Sequence, residues 1–72
     1  MIDRIVTHKV NKSARHRFAK KGDALYKISW YGYGEGDDTW EPIQHLPRSK
    51  VLSYVKKKKM SVPNNIDQAI DG

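Results

Sequence analysis

The sequence contains no cysteine, so neither a disulfide framework nor a zinc site built on thiolates can supplement its core. It also has no apolar run near the ~20 residues that span a bilayer, and no signal-peptide pattern opens the chain. With 72 residues and a hydrophobic fraction of 38%, the chain suffices for one small domain with a thin core. An intracellular, reducing compartment is the simplest interpretation of these absences.

Motifs of enzymes and metal sites are absent as well. His8, His16 and His45 are far apart in sequence and lack the spacing of metal ligands. The acidic residues between positions 35 and 38 lack the ligand periodicity of a calcium-binding EF-hand loop. The glycines between positions 32 and 36 lack the strand-to-helix context that a dinucleotide site needs. We therefore expect a binding module without metal or cofactor rather than an enzyme.

Acidic residues are few, with 8 Asp and Glu against 14 Lys and Arg, and the formal net charge is +6. One basic cluster comprises Lys9, Lys12, Arg15, Arg17, Lys20 and Lys21, and a second comprises Arg48, Lys50 and Lys56 to Lys59. Between them lie the acids Glu35, Asp37, Asp38 and Glu41. A basic domain with an internal acidic patch favours a polyanion as its general partner and a cation as its specific partner.

The apolar pattern predicts three strands. Ile2 to Val10 forms the first, although its alternation is imperfect. Residues 24–31 alternate clearly and form the second, and Thr39 to Glu41 forms a short third strand that Pro42 stops. One face of the second strand carries Ala24, Tyr26, Ile28 and Trp30. Between the first two strands, the Lys- and Arg-rich segment Asn11 to Gly22 is expected to be a loop.

A helix is predicted to start at Leu46-Pro47, since proline is tolerated in a first turn. Its apolar stripe is Val51, Leu52, Tyr54 and Val55. Lys56 to Lys59 fall in the last turn, where cations complement the helix dipole. Residues 1–59 thus form the expected domain, and residues 60–72 form a tail whose end frays. The predicted fold class is α+β, a three-stranded antiparallel curved sheet packed against one C-terminal helix.

The segment Trp30 to Pro42 carries the clearest functional signal, because it combines aromatic residues with clustered acids. Ring faces and carboxylates both present negative potential, so together they suit an alkylated cation. The ordinary interpretation of Trp30 is a core position, since it shares a strand face with Tyr26 and Ile28. Tyr33 lies among glycines, where burial is less expected.

The motif Trp30-Tyr31-Gly32-Tyr33, five residues, then Thr39-Trp40-Glu41-Pro42 and an amphipathic helix resembles a chromodomain. The similarity runs from about Ile2 to Lys57. The chain also resembles the basic chromodomains at the C-terminal end of integrases from long-terminal-repeat retrotransposons. The resemblance implies a nuclear module that binds a histone tail carrying methyl-lysine, and it allows a role in targeting a retroelement integrase to chromatin.

The resemblance also implies roles for individual residues. Trp30 and Tyr33 match two of the three aromatics of the family's methyl-lysine cage, and Asp37 matches an acidic residue near that cage. The third cage aromatic would lie just upstream of Met1. We therefore expect a partial cage from this segment alone.

Three further positions follow from the same resemblance. Ile2 matches an apolar residue that lines the groove for the histone peptide, and His45 falls where a polar side chain often bonds the peptide. Trp40 matches a buried tryptophan that anchors the third strand to the helix. The isolated domain is expected to be a monomer, because the core uses the helix's single apolar stripe and leaves none for a chromoshadow-like dimer. No membrane contact is expected.

The basic clusters leave a second function open, a DNA- or RNA-binding module on the same fold without a working cage. The residues expected to contact nucleic acid are Arg15, Arg17, Lys20, Lys21, Lys56 and Lys57. Such lysine runs are also typical of ordinary solvated surface.

Overall fold

The computed structural model describes residues 1–13, Arg17 and residues 19–71. It contains three strands and one α-helix: β1 (Ile2–Val10), β2 (Ala24–Trp30), β3 (Thr39–Pro42) and α1 (Arg48–Lys57). Short 3₁₀ turns lie at Glu35–Asp37, Ile43–His45 and Ile66–Gln68. The strands form one antiparallel sheet in the order β1-β2-β3. This confirms the predicted α+β class. No helix in the described part of the chain has the length and apolarity to cross a membrane.

The register of the sheet separates an inner face, which meets the core, from an outer face. Tyr26 and Ile28 are fully buried on the inner face. Lys27 lies between them and therefore points to the outer face, because successive side chains of a strand alternate. Trp40 of β3 pairs directly with Lys27 and shares that face. The expected burial of Trp40 is therefore wrong, and its side chain is 37% exposed.

The core forms where α1 packs against the inner face. Its buried cluster consists of Tyr26, Ile28, Ile43, Leu46, Val51, Tyr54, Val55 and Ala69. Burial raises the pKa of the Tyr26 phenol, and the nearby Tyr54 and Asp23 raise it further. The predicted stripe of α1 is confirmed except at Leu52, which is exposed. Pro47 precedes the helix in an extended conformation, so α1 starts at Arg48, after the predicted Leu46-Pro47 start.

The C-terminal segment packs against the domain. The Ile70 amide donates to the Leu46 carbonyl at 2.8 Å, and the Arg48 amide donates to the Ile70 carbonyl at 2.8 Å. Ala69 is buried in the core, and Ile66 packs against it. The predicted fraying of this end is therefore wrong for the described residues, because two apolar side chains and a backbone bridge hold it.

Asn11 organises the base of the loop between β1 and β2. Its side-chain nitrogen donates to the carbonyls of Ser13, Ala19 and Lys20 at 3.0, 3.1 and 3.1 Å. Its side-chain oxygen accepts from the Ser13 amide at 3.1 Å. The residue is only 4% exposed, so these bonds replace water around a buried amide. One side chain thus joins both ends of the loop.

We expect Asn11→Ala to lower the free energy of unfolding by about 1–3 kcal/mol, because several buried backbone groups lose their partner. Urea denaturation followed by circular dichroism measures the loss. Asn64→Ala makes the same change at an exposed position and should cost much less. Equal losses for the two variants would contradict the role of Asn11.

Candidate functional site

An open depression of about 390 Å³ lies where β2 passes into the glycine-rich loop. It is lined by Met1, Trp30, Tyr33, Asp37 and Thr39. Three of these residues are the ones that the sequence predicts for a cage. The structure therefore brings Trp30, Tyr33 and Asp37 to one place, although they span eight positions of the chain.

Backbone turns bring Tyr33 and Asp37 next to Trp30. Gly32 has φ +87°, a left-handed conformation that glycine adopts without steric cost. The turn at this glycine lets the Tyr33 amide donate to the Trp30 carbonyl at 3.1 Å. The following 3₁₀ turn has the Asp37 amide donating to the Gly34 carbonyl at 3.0 Å. The glycines of the loop thus fold the acidic residue back towards the aromatic ones.

A hydrogen bond fixes the Trp30 ring. Its indole nitrogen donates to the Thr39 hydroxyl at 2.8 Å, and Trp30 is half-buried against the core. Thr39 was not among the site residues predicted from the sequence. The available signal was its strand position, because Thr39 pairs with Ile28 and so lies on the inner face with Trp30. A tethered ring loses less freedom when a ligand binds to it.

The other two predicted cage residues are open to solvent, and one of them is acidic. Tyr33 is 68% exposed, and Asp37 is exposed too. One carboxylate oxygen of Asp38 is buried and has no hydrogen-bond partner among the described residues. Two ring systems beside the Asp37 carboxylate are the combination that suits a cation with apolar substituents. In the described part of the chain, no three His, Asp or Glu side chains gather as metal ligands.

The predicted groove residues, Ile2 and His45, do not line the depression. Ile2 pairs with Trp30 across the sheet and packs against the core. The Met1 carbonyl accepts from the Tyr31 amide at 2.8 Å, which fixes the start of the chain beside the depression. His45 is exposed, and its Nδ1 lies 2.9 Å from the Glu41 carboxylate.

The cations predicted to contact nucleic acid are distributed over two regions. Lys57 lines a groove of about 290 Å³ between β1 and α1, together with Arg4, Lys50 and Lys58 among others. Lys56 is exposed on α1. Arg17, Lys20 and Lys21 are exposed in the loop after β1, and Arg15 lies outside the described residues.

Comparison with known proteins shows the family of the chain. The model of the chromo (chromatin organisation modifier) domain matches residues 1–57, which include all three strands and α1. The chain belongs to the chromodomain family. As a chromodomain it is a chromatin-binding module. No solved structure is similar enough to count as a match.

Several curated relatives share this chromodomain. Human M-phase phosphoprotein 8 is 45% identical over 40 residues, covering 56% of this chain and 5% of the relative. Maize DNA (cytosine-5)-methyltransferase 3 is 37% identical over 59 residues, covering 74% of this chain and 6% of the relative. Human chromodomain Y-like protein is 44% identical over 45 residues, covering 62% of this chain and 6% of the relative. The chain thus corresponds to a small part of each of these proteins.

Proposed function

We propose that this chromodomain binds a histone tail and recognises a methylated lysine with Trp30, Tyr33 and Asp37. The observation that supports the proposal is the shared position of these side chains around one open depression. The tethered indole and the exposed phenol form two walls, and the Asp37 carboxylate supplies negative charge.

Methylation matters because it makes the ammonium group larger and less hydrated. The cation then leaves water at lower cost, while its attraction to the ring faces persists. Such contacts contribute about 0.5–1 kcal/mol at exposed sites and about 2 kcal/mol or more when the cation is desolvated. An aromatic residue upstream of Met1 would add a third wall and increase the desolvation.

The tail is proposed to bind in an extended conformation and to add a strand to the edge of β1. We place the added strand at Met1 and Ile2, next to the depression. Further along, the edge of β1 borders the groove between β1 and α1. Arg4, Lys50 and Lys57 line that groove, and their positive charges would repel a basic tail. Lys50 also donates to the Asp3 carbonyl at 3.4 Å, which occupies part of this edge. Exposed His45 is proposed to hydrogen-bond the peptide.

Calorimetric titration with one histone-tail peptide in three forms tests the proposal. The forms carry trimethyl-lysine, unmodified lysine, or a neutral analogue with carbon in place of the ammonium nitrogen. We expect the trimethylated peptide to bind at least tenfold more tightly than both others, because only it joins low hydration to positive charge. Equal affinity for methylated and unmodified peptides would eliminate the cage. Equal affinity for the trimethylated peptide and the neutral analogue would mean that apolar contact, not cation–π attraction, recognises the side chain.

Nuclear localisation and a monomeric state are parts of the same proposal. That this chain is part of a retroelement integrase remains a prediction from the sequence resemblance.

A further inference from the structure

The two tryptophans of this chromodomain lie on opposite faces of the sheet. Trp30 belongs to the inner face and to the depression described above. Trp40 lies on the outer face, where 37% of its surface is open to solvent. An indole usually contributes a large apolar area to a small core. An indole that is exposed on a sheet face therefore marks a candidate contact surface.

Cations surround the exposed indole. The Lys9 ammonium lies 4.2 Å from the centroid of the Trp40 ring, and Lys27 pairs directly with Trp40 on the neighbouring strand. Two rows of paired residues cross this part of the outer face: Thr7, Lys27 and Trp40, and then Lys9, Leu25 and Pro42. Neither row contains a carboxylate, so the positive charge around the ring is not compensated within these rows.

A broad depression of about 840 Å³ continues this surface towards the loop after β1. It is lined by Lys9, Val10, Asn11, Lys12, Ser13 and Leu25. Lys9 contributes to both the depression and the Trp40 contact, so the two are continuous. The hydrogen bonds of the buried Asn11 side chain fix the wall of the depression.

We propose that this outer face, defined by Trp40, Lys9, Lys12 and Lys27, binds single-stranded nucleic acid. A base stacks on the Trp40 indole, and the three lysines contact the phosphates on either side, with Lys9 moving from the ring to a phosphate. Base stacking on an aromatic ring and a positively charged track are the two elements of sequence-tolerant single-strand binding. An acidic peptide would satisfy the lysines but would leave the ring face without a matching planar group. A base-paired duplex keeps its bases stacked inside and would leave the ring unused.

This site does not depend on the methyl-lysine proposal, because it uses the other face of the sheet. It also differs from the contacts expected from the sequence, since Trp40, Lys9, Lys12 and Lys27 were not among them. Fluorescence anisotropy with a labelled ten-nucleotide single strand, as DNA and as RNA, tests it. The same strand annealed to its complement and a polyglutamate peptide serve as competitors.

We expect Trp40→Ala to weaken single-strand binding at least fivefold, the lower end of what one stacked base contributes. Tyr31→Ala removes a more exposed aromatic, 69% against 37%, that lies beyond the end of β2 and is not part of the proposed surface, so it should change little. Reversing Lys9, Lys12 and Lys27 to Glu should abolish binding. Conversion of the three lysines to Gln should reduce the slope of log affinity against log salt by about 2, since each phosphate contact in a single strand contributes about 0.7.

The outcomes that overturn the proposal are equally definite. Unchanged affinity in a folded Trp40→Ala variant would exclude stacking. The comparison is charge reversal of Lys56, Lys57 and Lys59. If it weakens binding as much as reversal of the three lysines of the proposed site, binding rests on diffuse charge attraction rather than on this site. Stronger competition by the duplex or by polyglutamate would assign the surface to that partner instead. None of these results alters the preference for methylated lysine, so the two proposals fail separately.

Discussion

Trp30→Ala should weaken binding to a trimethylated histone tail at least tenfold and remove the preference over the unmodified tail. The indole supplies the larger ring of the depression, and its bond to Thr39 at 2.8 Å keeps the ring in position. A desolvated cation–π contact of about 2 kcal/mol or more accounts for this loss. Affinity for the unmodified peptide should change little, because that peptide depends on backbone pairing at Met1 and Ile2. The ratio of the two affinities, measured by calorimetry, is therefore the informative quantity.

A matched pair of tyrosines controls for nonspecific effects of losing an aromatic ring. Tyr31 and Tyr33 are 69% and 68% exposed, so truncating either should affect folding similarly and slightly. Only Tyr33 lines the depression. Tyr33→Ala should reduce the methylation preference, and Tyr31→Ala should retain it. Because Trp30 packs partly against the core, this pair decides the question even if Trp30→Ala is unstable. A preference that survives both Trp30→Ala and Tyr33→Ala would refute the cage.

Leu46→Ala should lower the free energy of unfolding by about 2–5 kcal/mol. Leu46 is 0% exposed and belongs to the core between the sheet and α1. Truncation removes its buried apolar surface and leaves a cavity that a small domain fills only partly. Because small domains have total free energies of unfolding of about 5–15 kcal/mol or below, this loss approaches the total stability of the domain. Guanidinium denaturation followed by circular dichroism measures it.

The same substitution at Leu52 is the control. Leu52 lies six residues further along and is 39% exposed on α1. Leu52→Ala should cost well under half as much, since water already contacts this side chain and alanine is the better helix former. Similar losses at both positions would mean that the core is not arranged around Leu46.

The strands and their limits were predictable because they depend on local chemistry. Alternation in residues 24–30 and the glycines after position 30 defined β2 and its end. β3 extends through Pro42, one residue further than predicted. Leu52 was not predictable in this way, because its position at the edge of the helical stripe is compatible with burial or exposure. Only the direction from which the sheet meets the helix decides between them.

The candidate site was predictable in part. Trp30, Tyr33 and Asp37 were identified from a motif, and the structure places them around one depression. Thr39 was missed because its hydrogen bond to the indole depends on the pairing of β2 with β3. Ala69 and Ile66 were also missed, because a short apolar pattern in a tail does not show whether the tail packs against the domain.

The sequence by itself determined the family, the order of strands and helix, and the aromatic and acidic composition of the site. These properties depend on residue type and on spacing within single segments. Only the tertiary structure decided which face of the sheet each tryptophan occupies. The exposure of a strand residue depends on its register with the neighbouring strand. That register placed Trp40 opposite Lys27 and away from the core.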